Sequence, residues 1–159
     1  MQGCPLCGEP AAARLSAGGG SDVTEITCAS CGTYKVSYEA EMSLRGSDWA
    51  ARRYLLSAMT RRASDAAQPL KLLTSNIKDY AGNATAPKTP FEVIDNLLVL
   101  IHARLDTVAD SATVTGHDYP LLVLRSVEEL RGFLRKLQNI HYADVQEAAG
   151  KDGAVSRMY

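Results

Sequence analysis

The stretches Cys4-Pro5-Leu6-Cys7-Gly8 and Cys28-Ala29-Ser30-Cys31-Gly32 decide how this chain is read. They hold all four of its cysteines, in the pattern C-x2-C-x20-C-x2-C. Each half has the form of a knuckle: a tight turn brings two sulfurs together, and the glycine that follows permits the positive φ such a turn often needs. Two knuckles supply four thiolates, a full tetrahedral shell for zinc. Cys4, Cys7, Cys28 and Cys31 are therefore the expected ligands of one zinc ion. Disulfides fit poorly with a chain that has no secretion signal. A thioredoxin-like site needs one C-x2-C near a βαβ pattern, not two separated copies. An iron–sulfur cluster also takes four thiolates, and spacing alone does not separate it from zinc.

A catalytic zinc keeps one position open and usually has a His or carboxylate among its ligands. Four thiolates leave none open, and the H-x-E element of zinc deaminases does not occur in the sequence. The zinc is expected to be structural. Residues 13–16, 23–27 and 33–37 read as three short strands, with Gly18, Gly19 and Gly20 as a turn. No Gly-Lys-Ser/Thr follows that triple glycine, so it is not read as a phosphate loop. A small apolar content over residues 1–47 makes this segment a zinc ribbon that depends on its metal to fold.

Beyond the ribbon, residues 38–45 and 48–64 read as helices broken near Gly46, with Trp49, Leu56, Met59 and Ala63 as a buried stripe. Arg52, Arg53, Arg61 and Arg62 point in different directions around a helix axis, so a solvated basic helix is preferred to a nucleic-acid surface. Residues 69–73 read as extended. Thr74 or Ser75 is placed to cap a short helix through Tyr80, and residues 82–90 read as a loop. Thr89, Pro90 and Glu92 then form an N-cap, a first-turn proline and a capping box. Phe91, Ile94, Leu98, Ile101 and Leu105 follow at helical spacing and are expected to face the core. Residues 113–115 suit a strand, and 121–124 are a short apolar segment.

Ser126 and Glu129 form a second capping box, ahead of a stripe of Leu130, Phe133, Leu134 and Leu137. Arg131, Arg135 and Gln138 lie on the other side of that helix. Two strand-like stretches, 141–147 and 154–159, are joined by a turn at 150–153 with Lys151 at its tip. Long helix, short strand, short helix, second helix and hairpin is the order of a winged helix-turn-helix. The expected fold is thus α+β and mostly helical: a zinc ribbon over residues 1–47, then a helical winged-helix-like domain over 48–159. Its alternating last strand stops at Tyr159, so this domain is expected to be truncated at its C-terminal end.

With these residues in place, the chain resembles the N-terminal region of a group of bacterial zinc-ribbon/winged-helix proteins. The resemblance rests on the two knuckles and Tyr34, on Arg53-Tyr54-Leu55-Leu56-Ser57 as an R-x-x-L-S element, and on Leu73-Thr74-Ser75-Asn76-Ile77. The helix after Thr89-Pro90 and Glu128-Glu129-Leu130 complete it. In that group the wing continues into a Leu-Thr-x-x-Gly-Trp segment, and a C-terminal effector domain often follows. The resemblance implies an antiphage-defence setting and gives architecture more than activity.

A net charge of -1 removes any global attraction to nucleic acid or anionic membranes. No apolar run is long enough to span a membrane, and the N-terminus has no signal-peptide pattern, so a cytoplasmic location is expected. Three function classes remain. The first is a non-catalytic recognition or assembly module that senses a protein partner or a ligand for an effector domain, or self-associates. The second is a winged-helix DNA-binding regulator in which Arg131, Arg135, Gln138 and Lys151 make the contacts. Against it stand Glu128 and Glu129 in the same helix and the absence of a basic footprint. The third is an enzyme. His102, His117 and His141 have no nucleophile motif beside them, and turn chemistry accounts for His117-Asp118. The first class is the expectation: a protein that is not an enzyme within these residues.

Overall fold

The structure, a computed structural model of the chain, describes residues 2–15, 22–105, 112–140, 146–148 and 155–158. It is a mixed α and β fold that divides into two compact units, Met1–Ala86 and Pro87–Tyr159. By contacts the division thus falls at 86/87, whereas the sequence places a boundary after residue 47.

In the first unit, β1 (Gln2–Gly3), β2 (Pro10–Leu15), β3 (Val23–Cys28) and β4 (Gly32–Ser37) form an antiparallel meander. A fifth strand, β5 (Lys71–Leu72), adds to β4 in parallel, with Val36 opposite Leu72. It lies in the segment 69–73 that reads as extended. The expected glycine turn at 18–20 lies outside the described residues.

Three helices belong to this unit. Helix α1 (Tyr38–Arg45) follows β4 directly, and the Ser37 hydroxyl caps it by accepting the Ala40 N–H. A 3-10 turn, Ser47–Trp49, then buries Trp49, whose indole N–H donates to Ser43 Oγ. Helix α2 (Arg53–Asp65) starts later than the expected residue 48, and helix α3 is Ile77–Asn83. The cap of α3 is Asn76, not Thr74 or Ser75. The Asn76 side chain accepts the Leu73 N–H and donates to the Lys71 carbonyl, which folds the chain back between β5 and α3.

One core explains why residues 48–86 join the ribbon. Ile26, Tyr34 and Val36 from the sheet, Leu44 and Trp49 from the α1 region, and Leu56, Leu72, Ile77 and Ala81 form a single buried cluster with Cys4, Cys28 and Cys31. A short meander covers too little apolar area to be stable alone. Burying its face under α2 and α3 supplies what it lacks.

The second unit contains α4 (Pro90–His102), β6 (Ala112–Val114), a 3-10 turn (Gly116–Asp118), α5 (Val127–Asn139), β7 (Gln146–Ala148) and β8 (Val155–Met158). Both N-caps form, but neither capping box closes, because each glutamate accepts the N–H of the residue before the cap rather than that of the cap itself. Thr89 Oγ1 accepts the Glu92 N–H while Glu92 accepts the Lys88 N–H, and Ser126 and Glu129 do the same, with Glu129 accepting the Arg125 N–H. The strands make an antiparallel sheet in the order β6-β8-β7. The described parts of the two strand-like stretches, Gln146–Ala148 and Val155–Met158, thus pair, while the rest of both stretches and their expected turn lie outside the described residues.

Helix α4 departs from expectation. Its 91/94/98/101/105 face is only partly covered: Phe91 is 75% exposed and Leu98 47%, Ile94, Ile101 and Leu105 are half-buried, and Leu97 is the one fully buried residue of the helix. Helical periodicity places these residues on one side but does not say which side meets the rest of the fold. Helix α5 keeps its stripe, with Leu130, Leu134 and Leu137 buried and Phe133 half-buried. Between the two helices, the segment around 119–124 buries Tyr119, Leu122, Val123 and Leu124. Val123 takes φ +57 there, a conformation that β-branched residues rarely adopt.

Candidate metal centre

The site is built by the two knuckles at the ends of strands. In the first, the Cys4 carbonyl accepts the Gly8 N–H at 2.8 Å and the Cys4 N–H donates to the Glu9 carbonyl at 2.7 Å, closing the turn. Gly8 has φ +82 and Gly32 has φ +73, the left-handed region that glycine enters without penalty. Ser30, fully buried, joins the knuckles through a 2.6 Å hydrogen bond to the Glu9 carboxylate.

These turns bring all four expected ligands together. The Sγ atoms of Cys4, Cys7, Cys28 and Cys31 lie within 4.8 Å of one another. Cys4 and Cys31 are 3.7 Å apart, Cys7 and Cys28 3.5 Å. Four sulfurs around one tetrahedral ion at a metal–sulfur distance of about 2.3 Å stand roughly 3.8 Å apart. The cluster therefore fits one metal ion, and the four residues form a closed donor set. Cys4, Cys28 and Cys31 are buried, and Cys7 is half-buried.

The electrostatics of the cluster are compatible with a bound cation. Hydrogen bonds from neighbouring thiols, Cys28 first for Cys4 and Cys31 first for Cys28, hold those two thiols below the usual range. The same contacts, with Cys28 foremost, push Cys7 and Cys31 up. Four thiolates in a buried volume this small would repel one another, and a bound metal ion would remove that conflict.

Two hydroxyls complete the surroundings. Tyr34 Oη lies 3.2 Å from Cys4 Sγ, and Ser57 Oγ lies 3.0 Å from Cys31 Sγ. Burial, reinforced by the Cys4 charge, pushes the Tyr34 hydroxyl well above its ordinary range, so it stays protonated as a donor. Tyr34 enters from β4 as part of the Cys-Gly-x-Tyr motif. Ser57 enters from α2, and knuckle spacing gave no signal for it.

Of the other sequence candidates, Arg131, Arg135 and Gln138 all lie on α5 in the second unit, with Arg131 half-buried and the other two exposed. Lys151 lies outside the described residues. Asp118, read as turn chemistry, does form the turn: with Thr115 it makes a reciprocal capping box. It also carries a feature that spacing did not signal. Its buried carboxylate receives both Arg104 Nη1 and Nη2 at 2.7 Å.

No protein-family model, curated protein or solved structure matches the chain. No helix among the described residues is long and apolar enough to cross a membrane.

Proposed function

We propose that this chain is a non-catalytic, zinc-binding recognition and assembly module. The N-terminal unit is a zinc ribbon extended by helices, and zinc is its structural ion. The closed set of four thiolates, three of them buried in the unit's own core, carries that part of the reading. Zinc is favoured because a tetrahedral shell of four thiolates is its usual structural site, and no position is left for a substrate. A cytoplasmic location accords with four cysteines used as thiolates. The antiphage-defence setting and the effector domain that the module would serve rest on the resemblance alone.

The recognition role rests on the second unit. Phe91, Ile94, Leu124, Phe133, Leu137 and Ile140 line an open apolar groove of about 840 Å³ between α4 and α5. Phe91 and Ile140, at 75% and 65% exposure, stand out of the same face. Lys88 and Lys136 on one hand and Glu129 on the other give its edge both signs of charge. A face that carries exposed apolar side chains, a groove to receive them and charges of both signs is complementary to a second copy of itself. The module therefore assembles with itself through this face. Light scattering across a concentration series tests this: a dimer at tens of micromolar that Phe91→Glu dissociates is the expected result. A monomer at every concentration contradicts it.

The alternative is a winged-helix DNA-binding regulator. The sheet order β6-β8-β7 after helix α4 favours it, since that is the strand order of winged helices. Arg135 and Gln138 on α5 would then meet DNA, with Arg131 beside them. Glu128 weakens this reading. It sits one helical turn before Arg131 and two before Arg135, on the same face, where it would repel phosphate. Fluorescence anisotropy with labelled duplex at two salt concentrations decides. Salt-sensitive binding lost in Arg135→Ala establishes the alternative, and no binding at tens of micromolar removes it.

A further inference from the structure

Helix α2 presents three polar side chains to the second knuckle. Ser57, Arg61 and Ser64 recur at spacings of four and three, so they lie in one row along the helix. Each takes hold of a different part of the Cys28–Cys31 turn and the residues after it. Ser57 Oγ lies 3.0 Å from Cys31 Sγ, and Ser57 is 1% exposed. Arg61 Nη1 donates to the Ala29 carbonyl at 2.8 Å and to the Ser30 carbonyl at 3.3 Å, while its Nε donates to Asp65. Ser64 Oγ accepts the Thr33 N–H at 2.9 Å. The approach is close enough that Gly32 has room for no side chain against Ser64.

A serine hydroxyl buried against a thiolate is more than filler. A metal-bound thiolate is an acceptor only, so with metal bound the Ser57 hydroxyl is the donor in this contact. Hydrogen bonds to ligand atoms orient the ligand and remove charge from it, and their loss weakens metal binding. Arg61 and Ser64 fix the backbone that places Cys28 and Cys31. The carbonyls that Arg61 holds, Ala29 and Ser30, are the two residues between those cysteines. This row thus contacts one ligand directly and the peptide turn that sets the distance between two.

We propose that helix α2 is the clasp of the metal centre: Ser57 is a positioning residue for Cys31, and metal binding and the docking of α2 on the sheet are one linked equilibrium. The inference rests on the reading of the four cysteines as a metal site. It goes further in making metal occupancy govern a helix outside the ribbon. Metal loss loosens the second knuckle and with it the contacts of Ser57, Arg61 and Ser64, which releases the row. Conversely, any partner that pulls α2 from the sheet weakens metal binding by the same factor, because linkage is reciprocal.

The test is hydrogen–deuterium exchange on the full chain, as purified and after metal removal by a chelator, with metal content measured on the same samples. The expected result is one metal per chain and faster exchange across α2 after removal, together with the second knuckle, while α5 serves as the reference. A zinc titration against a chromophoric competitor adds the second readout. Ser57→Ala is expected to weaken zinc binding by about tenfold or more, the usual effect of losing a partner of a ligand. Arg61→Met, which keeps the aliphatic stem, weakens it as well. Bound metal with α2 equally protected in both states overturns the linkage and leaves the metal site intact. Unchanged zinc affinity in both variants overturns the clasp. A chain that holds no metal overturns the site and the inference together.

Discussion

A β-carbon on Gly32 would stand 2.5 Å from the β-carbon of Ser64, so the second knuckle and helix α2 meet where only a glycine fits. Gly32 also has φ +73, whereas Gly8, with φ +82, has nothing within 4 Å of such a carbon. The two glycines occupy equivalent places in the two knuckles but answer to different constraints. Gly8→Ala pays only the left-handed conformation, about 1–2 kcal/mol. Gly32→Ala adds a clash with a helix that cannot yield without losing its hold on Thr33, a further cost on the order of 1–3 kcal/mol. Urea unfolding of the zinc-loaded variants should rank Gly32→Ala well below Gly8→Ala. Adding Ser64→Gly should recover part of the loss only in the Gly32 variant.

The Arg104–Asp118 pair predicts an acid limit for the second unit. Burial of Asp118 acts to raise its pKa, but the Arg104 guanidinium and the Thr115 N–H outweigh burial and hold it below the usual carboxylate range. A depressed pKa means that the folded state favours the ionised form. The stabilisation is present above the ordinary carboxylate value and is lost as pH falls through the lower, folded value. The Arg104 side chain is 30% exposed, so water screens part of the charge. Asp118→Ala should then cost about 2 kcal/mol, less than the 3–5 of a fully buried pair. Thermal unfolding at neutral and acid pH checks both. The wild type should lose stability as pH falls below about 4, and the variant should lose much less over the same range.

Helix caps offer a local check on the same unit. Thr89 and Ser126 each accept a hydrogen bond from the third residue of their helix. Thr89→Ala and Ser126→Ala should each cost about 1 kcal/mol. The sites lie on different helices, so the double variant should lose the sum. Denaturant unfolding followed by circular dichroism measures it.

Both caps were readable in the sequence because an N-cap and the N–H it accepts lie within four residues. The four cysteines were readable for the same reason within each knuckle, and their pairing followed from having two halves of one site. What the sequence did not disclose is contact at a distance. Ser57 meets a residue 26 positions away, and Arg61 meets carbonyls 31 and 32 away. Neither residue type signals that partner. Arg61 read as part of a solvated basic helix because periodicity counts directions, not neighbours. Helix α4 shows the same limit from the other side. Its cap gave the start of the helix and its apolar spacing the helix itself, yet the face expected in the core is half-buried or exposed throughout. The contacts divide the chain at 86/87 rather than after residue 47 because a ribbon's sequence does not state that two later helices will cover its sheet.

The central claim is that Cys4, Cys7, Cys28 and Cys31 hold one structural zinc. Elemental analysis of the purified wild-type chain and of Cys28→Ser tests it most directly. Close to one zinc per wild-type chain is expected, and loss of that zinc in the variant, with the second knuckle and helix α2 loosened. A wild-type chain that is well folded and free of metal, or one that carries iron instead, would contradict it.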